Sequence, residues 1–453
     1  MRDGTLTVLE SSKLYDVAVS IVRQLRQKGF VAYFAGGSVR DALLGYPPKD
    51  IDIATDAKPN EVSFLFPRTV AVGIQFGVLR VIEQGLEYEV ATFRSDGPYL
   101  DGRRPQDVRF ATPEQDAARR DFTINGMFYD PMEERLIDFI GGQQDLRRRI
   151  IRAIGVAGER FKEDRLRLLR AVRLAAHLGF AVEQETWKAI RDVAGQILVV
   201  SPERIRDELL KIVSDPHRLR GFDLLDESGL LAVILPEVEG LKGCEQPEQF
   251  HPEGDVFIHT RKMLGLLAPE AGGLQALAVL LHDIGKPPTR SFDAADNRIR
   301  FNGHDRLGAE MAEKVMTRLR FSRQEIETVT EAVRNHMIFK DVQQMRPARL
   351  KRFMARPNFE IELELHRVDC AGSHGDMENY RFLEEKKKEL ASEPLIPPPL
   401  LRGHDLLELG MTPGPRIGEL LHAIQTAQLE GEIKTRSEAF ALLKTLEPTL
   451  ENR

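Results

Sequence analysis

The segment 36–55 constrains the fold of this chain more than any other stretch of its sequence. It follows a short apolar run, 31–35, that is typical of a buried strand, and it opens with two glycines before the helix-like residues 38–44. At its end Asp50 and Asp52 alternate with isoleucines, which is the period-2 pattern of a strand with one solvated face. The segment therefore predicts a strand, a tight glycine turn, a short helix and a second strand.

The two aspartates of this segment predict a metal site. On one strand Asp50 and Asp52 point to the same side, and carboxylates that close repel each other unless a cation lies between them. Oxygen ligands of this kind favour Mg²⁺. Gly36 and Gly37 offer backbone N–H groups at the start of a helix, which suits a phosphate. A phosphate cradle beside metal-binding carboxylates predicts nucleotidyl transfer.

The composition is that of an ordinary globular chain. Its 453 residues are 42% hydrophobic and 30% charged, and at this length we expect about three or more domains. No apolar run approaches the roughly 18 residues of a membrane span, and the first residues hold no apolar signal core, so we predict a cytoplasmic protein with no membrane partner. Cys244 and Cys370 are too few for a disulfide framework or a cysteine-based zinc site, and we expect buried thiols.

The chain changes character part-way along its length. Strand-like runs separated by glycine and proline turns extend from residue 31 to about 140, and helical periodicity follows from about 150 nearly to the end. The predicted fold class is an α+β head followed by all-α parts. The predicted domains are the head at 1–145, a helical neck and body at 146–245, a second helical block at 246–392 and a C-terminal helical tail at 393–453.

Basic residues are concentrated in one part of a mainly acidic chain. The net charge of −6 argues against nucleic-acid binding over the whole surface. Between Arg147 and Arg173, however, ten lysines and arginines stand against three acidic residues. This stripe predicts a confined track for an RNA backbone, although a solvated helix face would give the same pattern.

A further strand-like run, 88–93, carries Glu89, which can complete a set of three carboxylates with Asp50 and Asp52. An ordinary strand residue is the alternative at this position. The glycine turn, Arg40 and the aspartate pair, in that order, resemble the signature of the polymerase-β-like nucleotidyltransferases. In detail they resemble the class II tRNA CCA-adding enzyme and bacterial poly(A) polymerase family, in which the position of Glu89 completes the catalytic carboxylate set.

The resemblance extends to later motifs of the head and neck. RRDFTINGM at 119–127 is similar to the second family motif, which implies that Asp121 accepts hydrogen bonds from the ribose hydroxyls and that Arg120 faces the nucleotide. DFIGGQQDL at 138–146 and SPERIRDELLKIV at 201–213 are similar to the third and fifth motifs, a head-to-neck turn and a structural helix. The nucleotide-binding residues implied by the resemblance are Gly36, Gly37, Arg40, Arg120, Asp121, Asn125, Asp164, Arg167 and Arg170.

The stretch 160–180 is similar to the fourth motif, and we expect one helix there on which Asp164 and Arg167 share a face. The family uses this pair as a template for the Watson–Crick edge of the incoming base. An aspartate accepts from an exocyclic amine and an arginine donates to a ring nitrogen or carbonyl, so cytosine and adenine should be accepted and uracil and guanine rejected. An ordinary salt bridge at this spacing is the alternative.

A polar stretch rich in glycine and arginine, 92–110, lies between two strand-like runs. It resembles the flexible loop that CCA-adding and A-adding members of the family need in order to switch to ATP. The resemblance implies Asp101 and Arg104 as the residues that act in this switch. The loop therefore predicts that the chain can add adenosine.

Histidines are clustered in the second helical block. Burying the adjacent His282 and Asp283 on an apolar helix is costly unless a cation binds them, and imidazoles beside carboxylates suit a transition metal. The pattern resembles the HD phosphohydrolase superfamily, which makes 246–392 a metal-dependent HD domain, with Lys286 as a candidate phosphate contact. The implied ligands of a divalent Mn, Ni, Fe, Mg or Zn ion are His259, His282, Asp283, His304, His336 and Asp369.

The leading hypothesis is a tRNA nucleotidyltransferase that adds CMP and AMP from CTP and ATP to the tRNA 3′ end, with Mg²⁺ and without a nucleic-acid template. A poly(A) polymerase or A-adding enzyme shares the head motifs and is the runner-up. A third hypothesis makes the HD domain the principal activity, as a phosphohydrolase with an RNA-binding head. The intact Asp50, Asp52 and Asp121 argue against the third, and the sequence leaves the oligomeric state open.

Overall fold

A computed structural model describes residues 12–73, 76–97, 108–247, 254–295, 297–391 and 394–447. The chain divides into two compact units, Met1–Glu239 and Gly240–Arg453.

The first part of the first unit mixes strands and helices, as the sequence predicts for the head. Its elements are α1 (Lys13–Gln27), β1 (Ala32–Ala35), α2 (Gly37–Leu43), β2 (Asp52–Thr55), α3 (Pro59–Leu65), β3 (Thr69–Gly73), β4 (Val78–Glu83), β5 (Leu86–Thr92), β6 (Arg94–Asp96), β7 (Val108–Phe110), α4 (Pro113–Arg119), β8 (Phe128–Asp130) and β9 (Arg135–Ile137). A short 3₁₀ helix, Thr123–Asn125, precedes β8.

Among the described residues the head sheet has seven strands in the order β3-β4-β5-β2-β1-β8-β9. Only β2 and β5 in this described sheet run parallel, with Ile53 beside Val90, and the other neighbours are antiparallel. Phe34, Ile53 and Val90 form a buried row across three strands. The residues before them on β2 and β5, Asp52 and Glu89, therefore lie on the opposite face.

Helix α1 forms because its sequence is capped and amphipathic. The Ser12 side chain accepts from the Tyr15 N–H, which satisfies a donor at the helix start. Val17, Ile21 and Leu25 recur at helical spacing and are buried. Tyr15 packs edge-on against Phe34 of β1, with ring centroids 5.7 Å apart, so α1 covers the apolar side of the sheet.

The second part of the first unit is mainly helical. Its elements are α5 (Gly142–Arg148), β10 (Ile150–Ile151), α6 (Ala157–Glu163), α7 (Arg167–Leu178), β11 (Ala181–Val182), α8 (Gln184–Val193), α9 (Pro202–Val213), α10 (Arg218–Glu227), α11 (Leu230–Ile234) and α12 (Pro236–Glu239), with a 3₁₀ helix at Ala194–Val199. Helix α7 ends because Gly179 adopts the left-handed conformation at its C-cap, with φ 65°.

The second unit is built almost entirely of helices. Its elements are α13 (Val256–Leu266), α14 (Gly273–Leu281), α15 (Lys286–Thr289), β12 (Ser291–Asp293), β13 (Arg298–Arg300), α16 (His304–Arg318), α17 (Arg323–Asn335), α18 (Pro347–Met354), α19 (Phe359–Gly372), α20 (Glu378–Glu389), α21 (Gly403–Glu408), α22 (Pro415–Glu430) and α23 (Arg436–Leu446), with a 3₁₀ helix at His336–Gln344. An aromatic cluster of Phe339, Phe353 and Phe359 forms one core, and Leu406, Leu420 and Leu443 belong to a separate core near the C-terminus.

The predicted fold class is confirmed, because a mixed sheet with helices is followed by helices nearly to the end. Strands β3, β6, β8 and β9 were not predicted from the sequence, and neither were the β10–β11 and β12–β13 pairs within the helical parts. In the part of the chain that the structure describes, none of the helices combines the length and apolarity needed to cross a bilayer. The cytoplasmic location stays a prediction.

Candidate active site and metal centre

A cleft of about 410 Å³ in the first unit brings together residues from the head sheet, the 3₁₀ turn and α7. All nine residues predicted to bind the nucleotide line it, together with Asp52 of the predicted metal site. The lining residues are Gly36, Gly37, Arg40, Asp52, Arg120, Asp121, Asn125, Asp164, Arg167, Arg170, Arg173 and Leu174.

Of the three predicted carboxylates, Asp52 lines the cleft, and Glu89 and Asp50 are near enough to it to affect its pKa. Because Ile53 pairs with Val90 in parallel register, Asp52 and Glu89 stand side by side on neighbouring strands. Strand β2 begins at Asp52, and Asp50 is exposed just before it, so the prediction that both aspartates lie on one strand was wrong. Burial, with the charges of Glu89 and Asp50, raises the pKa of Asp52 to about 7 despite the nearby Arg120. Such a carboxylate group is suited to binding a cation.

Gly36 brings the backbone close to Asp52 and Arg120. Its φ of 74° lies in the left-handed region that glycine adopts without strain. A Cβ at this position would lie 3.2 Å from Nη1 of Arg120 and 3.6 Å from Oδ2 of Asp52. A glycine here therefore lets a carboxylate, a guanidinium and a helix start meet in one small volume.

Asp121 is the centre of a buried network on the floor of the cleft. Its Oδ2 accepts from Nε and Nη2 of Arg170, at 2.8 and 2.7 Å. Its Oδ1 accepts from the Phe122 N–H at 2.8 Å and from Nδ2 of Asn125 at 3.0 Å. Burial alone would raise the pKa of Asp121, but Arg170, Asn125 and the Phe122 N–H hold it well below its usual range. The carboxylate is thus charged and fixed in orientation.

Arg40 and Arg120 are both held by hydrogen bonds to neighbouring side chains. Nη1 of Arg40 donates to Oδ1 of Asn125 at 2.6 Å, which extends the Asp121 network to α2. Arg120 donates through Nε and Nη2 to Oδ2 of Asp116, at 3.1 and 3.0 Å, and its guanidinium stacks 5.0 Å from the Phe128 ring. Both guanidinium groups are therefore positioned before any ligand arrives.

The fourth motif does not form one helix, so the expectation that Asp164 and Arg167 share a helix face was wrong. Helix α6 ends at Glu163 and α7 begins at Arg167, with Asp164 between them at φ −143° and ψ 106°. The chain breaks there because the Asp164 carboxylate accepts from the Leu166 N–H at 3.0 Å, an aspartate turn that competes with helical bonding. Both side chains nevertheless line the same cleft.

Each of these two residues has a separate partner. Nη1 and Nη2 of Arg204 donate to the two carboxylate oxygens of Asp164, at 3.2 and 2.7 Å. Arg167 donates to Oε2 of Glu163 at 2.6 Å and to the backbone oxygen of Arg119 at 3.2 Å. Among the described residues the two do not form an ion pair with each other, which disfavours the ordinary salt bridge.

The six predicted metal ligands of the second unit come together around Asp283. Nε2 of His282 is 3.0 Å from Oδ2 of Asp283, and Nε2 of His259 is 3.1 Å from Oδ1 of Asp369. On the other side, Oδ1 of Asp283 is 3.6 Å from Nε2 of His304 and 3.9 Å from Nε2 of His336. The ligand atoms form two compact groups that share Asp283: His259, His282 and Asp283, and Asp283, His304 and His336.

The orientation of these histidines makes the groups fit for a cation. His282, His304 and His336 each direct Nδ1 at a backbone carbonyl, at 2.8, 2.7 and 2.6 Å. A carbonyl only accepts, so Nδ1 carries a proton in each ring and Nε2 is the nitrogen that can bind a metal. The Nε2 atoms of His304 and His336 lie 3.1 Å apart, close to Oδ1 of Asp283. Two imidazole nitrogens and a carboxylate oxygen this close together form a ligand set that suits a transition metal.

The electrostatics of the cluster agree with ligation. Burial would raise the pKa of Asp283, but His282 and Lys286 hold it well below its usual range. Burial lowers the pKa of His336 to about 4, so this imidazole is neutral at ordinary pH. Nζ of Lys286 lies 2.7 Å from Oδ2 of Asp283 and donates to Gln246 at 2.6 Å. A cavity of about 550 Å³ opens beside the cluster, with Arg298, Arg300 and Lys340 in its lining.

The predicted flexible-loop residues, Asp101 and Arg104, lie outside the described residues. Strands β6 and β7, which precede and follow these two residues in the sequence, pair with each other, and Arg94 lies beside Phe110. The role of Asp101 and Arg104 stays a prediction.

Three family models match the chain. The Poly A polymerase head domain matches residues 32–152, the probable RNA and SrmB-binding site of polymerase A matches residues 179–241, and the HD domain matches residues 256–369.

Curated relatives match over different lengths. A CCA-adding enzyme of Geobacillus stearothermophilus is 45% identical over 233 residues, which is 51% of this chain and 56% of that protein. At this level of identity, the chain therefore spans about half the length of the relatives that it matches. A CCA-adding enzyme of Streptococcus pneumoniae (strain ATCC BAA-255 / R6) is 32% identical over 426 residues, 94% of this chain and 96% of that protein. The chain belongs to the CCA-adding enzyme family.

Solved structures of CCA-adding enzymes share the fold. The structure of the Bacillus stearothermophilus CCA-adding enzyme in complex with CTP matches with a TM-score of 0.73 and 29% identity, and the match covers 97% of this chain and 99% of that one. The family resemblance drawn from the sequence motifs is thereby confirmed.

In this member of the CCA-adding enzyme family, two residues that were not predicted from the sequence hold side chains of the cleft in place. They are Asp116 and Arg204. Asp116 could have been found, because it precedes Arg119 and Arg120 by three and four positions on a helix-like stretch. Arg204 could not have been found from the sequence, because it is 40 positions from its partner Asp164 and its segment is typical of an ordinary structural helix. Ser201 occupies the N-cap position of that helix without a side-chain capping bond.

Proposed function

We propose that this protein adds CMP and AMP from CTP and ATP to the 3′ end of tRNA, with Mg²⁺ and without a nucleic-acid template. The observation that carries the proposal is the cleft in which Asp52 stands with Asp121, Asp164 and Arg167. Metal-binding, ribose-binding and base-reading groups in one cleft are what template-independent nucleotide addition needs. Membership of the CCA-adding enzyme family supports it.

In this proposal Asp50, Asp52 and Glu89 hold Mg²⁺. When bound, the metal lowers the pKa of the attacking hydroxyl and offsets the charge of the leaving pyrophosphate. The raised pKa of Asp52 supports the assignment, because a carboxylate that resists ionisation beside two other acids gains most from a cation. Arg120, held between Asp116 and the carboxylate edge, is placed to bind the triphosphate.

The ribose and the base are recognised by groups that are already fixed. Asp121 keeps its charge and can accept from a ribose hydroxyl, because each carboxylate oxygen has more than one acceptor direction. Asp164 keeps an acceptor direction in the same way while Arg204 holds it, and Arg167 presents a guanidinium as donor. This donor and acceptor set matches the amine and the neighbouring acceptor of cytosine and adenine, and it opposes uracil and guanine.

The second unit has a separate chemistry in this proposal. His259, His282, Asp283 and Asp369 hold one divalent ion, and His304 and His336 with Asp283 hold a second ion or a phosphate contact. Such a centre activates water for phosphate-ester hydrolysis when it is loaded. The basic residues Lys286, Arg298 and Arg300 beside it suit an anionic substrate, and metal analysis of the purified protein would identify the ion among Mn, Ni, Fe, Mg and Zn.

One experiment separates the candidate activities of the first unit. The protein is incubated with tRNA transcripts that end before CCA, after C and after CC, with CTP or ATP supplied separately, and product lengths are read on a gel. We expect CMP addition to the first two substrates and a single AMP addition to the third. Long adenosine tails would indicate a poly(A) polymerase, and addition of AMP without CMP would indicate an A-adding enzyme.

The same experiment tests whether the head is only an RNA-binding module. In that case the transcripts would be bound without being extended, and phosphate-ester hydrolysis in the second unit would be the principal activity. Failure to extend any of the three transcripts with Mg²⁺ present would therefore contradict the proposal.

A further inference from the structure

Asp116 of α4 is buried at 1% exposure, yet the cleft lining does not include it. Its Oδ2 accepts from Nε and Nη2 of Arg120. Its Oδ1 accepts from Nε of Arg119 at 2.9 Å, lies 2.7 Å from Nη2 of that residue, and accepts from the Arg94 N–H at 3.3 Å. One carboxylate thus binds two consecutive arginines, each through a two-point contact.

The two arginines lead to different ends of the cleft. The guanidinium of Arg120 lies at the carboxylate edge, beside Gly36 and Asp52. The backbone oxygen of Arg119 accepts from Nη2 of Arg167 and from Nη1 of Arg160, both at 3.2 Å. Through these two arginines, the contacts of Asp116 reach both the metal-binding edge and the base-reading Arg167.

We propose that Asp116 is a positioning residue that sets the geometry of the chemical step and of base selection together. It holds Arg120 at the carboxylate edge directly, and it holds Arg167 through the backbone of Arg119. This inference rests on the proposed function, because it assigns Asp116 a part in nucleotide selection by that same cleft.

The charges around Asp116 support a positioning role. Burial alone would raise the pKa of Asp116, but Arg120 and Arg119 lower it, so the carboxylate stays charged in a dry environment. A buried charge with both oxygens engaged has few alternative positions, since leaving its partners would strand it without compensation. The arginine that it orients toward the cleft is held equally firmly.

The test compares Asp116→Asn with a matched variant, Asp130→Asn. Asp130 is also fully buried in the head, where it pairs with Arg26 and accepts from the Met132 and Glu133 N–H groups. None of those partners belongs to the described lining of the cleft. Both variants remove one buried charge and keep the side-chain volume, so both should lower the melting temperature.

The readouts are kcat and KM for CTP, and the ratio of UMP to CMP misincorporation, on a tRNA transcript that ends before CCA. For Asp116→Asn we expect kcat to fall and the UMP to CMP ratio to rise by about tenfold or more. The reason is that a hydrogen bond to a charged group contributes about a factor of ten or more to an equilibrium. For Asp130→Asn we expect the wild-type ratio. Equal ratios in the two variants would overturn the inference and leave Asp116 a stability residue.

A second variant covers poor folding of Asp116→Asn. Arg119→Gln removes one of the two ion pairs of Asp116, from a side chain that is 20% exposed, and it should also raise the misincorporation ratio. A wild-type ratio in Arg119→Gln would overturn the inference. If the wild-type protein itself adds no CMP, the proposed function fails, and this result is distinct from a failure of the positioning role.

Discussion

Arg204 donates to both carboxylate oxygens of Asp164, at 3.2 and 2.7 Å, although the two residues are 40 positions apart. The contact joins α9 to the break between α6 and α7. In the proposed function, this contact orients Asp164, the hydrogen-bond acceptor of the base-reading pair. In the proposed function, the helix of the fifth motif, which was predicted to be structural, therefore also supports the selection of the nucleotide.

Arg204→Gln should weaken base selection. Loss of the two charged hydrogen bonds lets the Asp164 carboxylate rotate, and we expect discrimination against UTP to fall by about tenfold, since a hydrogen bond to a charged group contributes about 1.5–3 kcal/mol. Single-turnover incorporation of CMP and UMP measures the change. Arg206→Gln is the matched control, because Arg206 lies on the same helix and pairs with the adjacent Asp207. Unchanged discrimination in Arg204→Gln would contradict the support role.

Asp52→Asn should abolish nucleotide incorporation, by about a thousandfold or more, because a catalytic metal contributes several kcal/mol of charge stabilisation. Asp50→Asn should act in the same direction. Asp56→Asn is the control, since Asp56 accepts from the Val31 N–H outside the cleft. Near-normal incorporation by Asp52→Asn would remove the basis for the metal assignment.

The raised pKa of Asp52 also predicts a pH-dependent effect of Mg²⁺ on stability. A carboxylate with a folded pKa of about 7 stabilises the fold at low pH, and that contribution is lost as pH rises through 7. Above pH 7 the ionised group repels Glu89 and Asp50, and a bound cation relieves the repulsion. We expect Mg²⁺ to raise the melting temperature more at pH 8 than at pH 6 in wild type, and not in Asp52→Asn. An equal shift at both pH values would count against the site.

Asp121 predicts an acid-sensitive head. Its pKa is held below the usual range, so its contribution to stability is present above the unfolded value of about 3.9 and is lost as pH falls toward the lower folded value. Denaturant unfolding between pH 7 and pH 3 should show a steeper loss in wild type than in Asp121→Asn. The variant should also accept deoxyribonucleotides more readily. If the free energy of unfolding of the two proteins fell equally with pH, this would be evidence against a buried charge on Asp121.

His282→Ala combined with Asp283→Ala should remove the bound metal and any phosphohydrolase activity of the second unit, because it deletes members of both ligand groups. Nucleotide addition should persist, since its residues lie in the first unit. Metal content by mass spectrometry and addition to tRNA measure the two outcomes. His422→Ala, an exposed histidine of α22, is the control. Loss of addition in a folded double variant would show that the two units are not independent.

The sequence predicted most of the cleft because its groups are carried by short local motifs. The period-2 pattern at Asp52 and the glycines before α2 can be read within a few residues. The parallel register that puts Glu89 beside Asp52 depends on strand pairing across the sheet, and the motif resemblance alone pointed to it.

The failed prediction at Asp164 has a local cause. Helical periodicity in 160–180 outweighed one aspartate turn, although an aspartate whose side chain can bond a backbone N–H two residues on is a known competitor of the helix. The partner that completes the arrangement, Arg204, is distant in sequence, and no pattern near Asp164 indicates it.

Asp283 turns one carboxylate oxygen toward His282 and the other toward His304 and His336. A first ion bound through one oxygen would draw electron density from the other and weaken its hold on a second ion, while also ordering the shared side chain. Two ions at this centre would thus bind with unequal, interdependent affinities. A titration of the metal-free protein should then follow a coupled two-step isotherm rather than the sum of two independent sites.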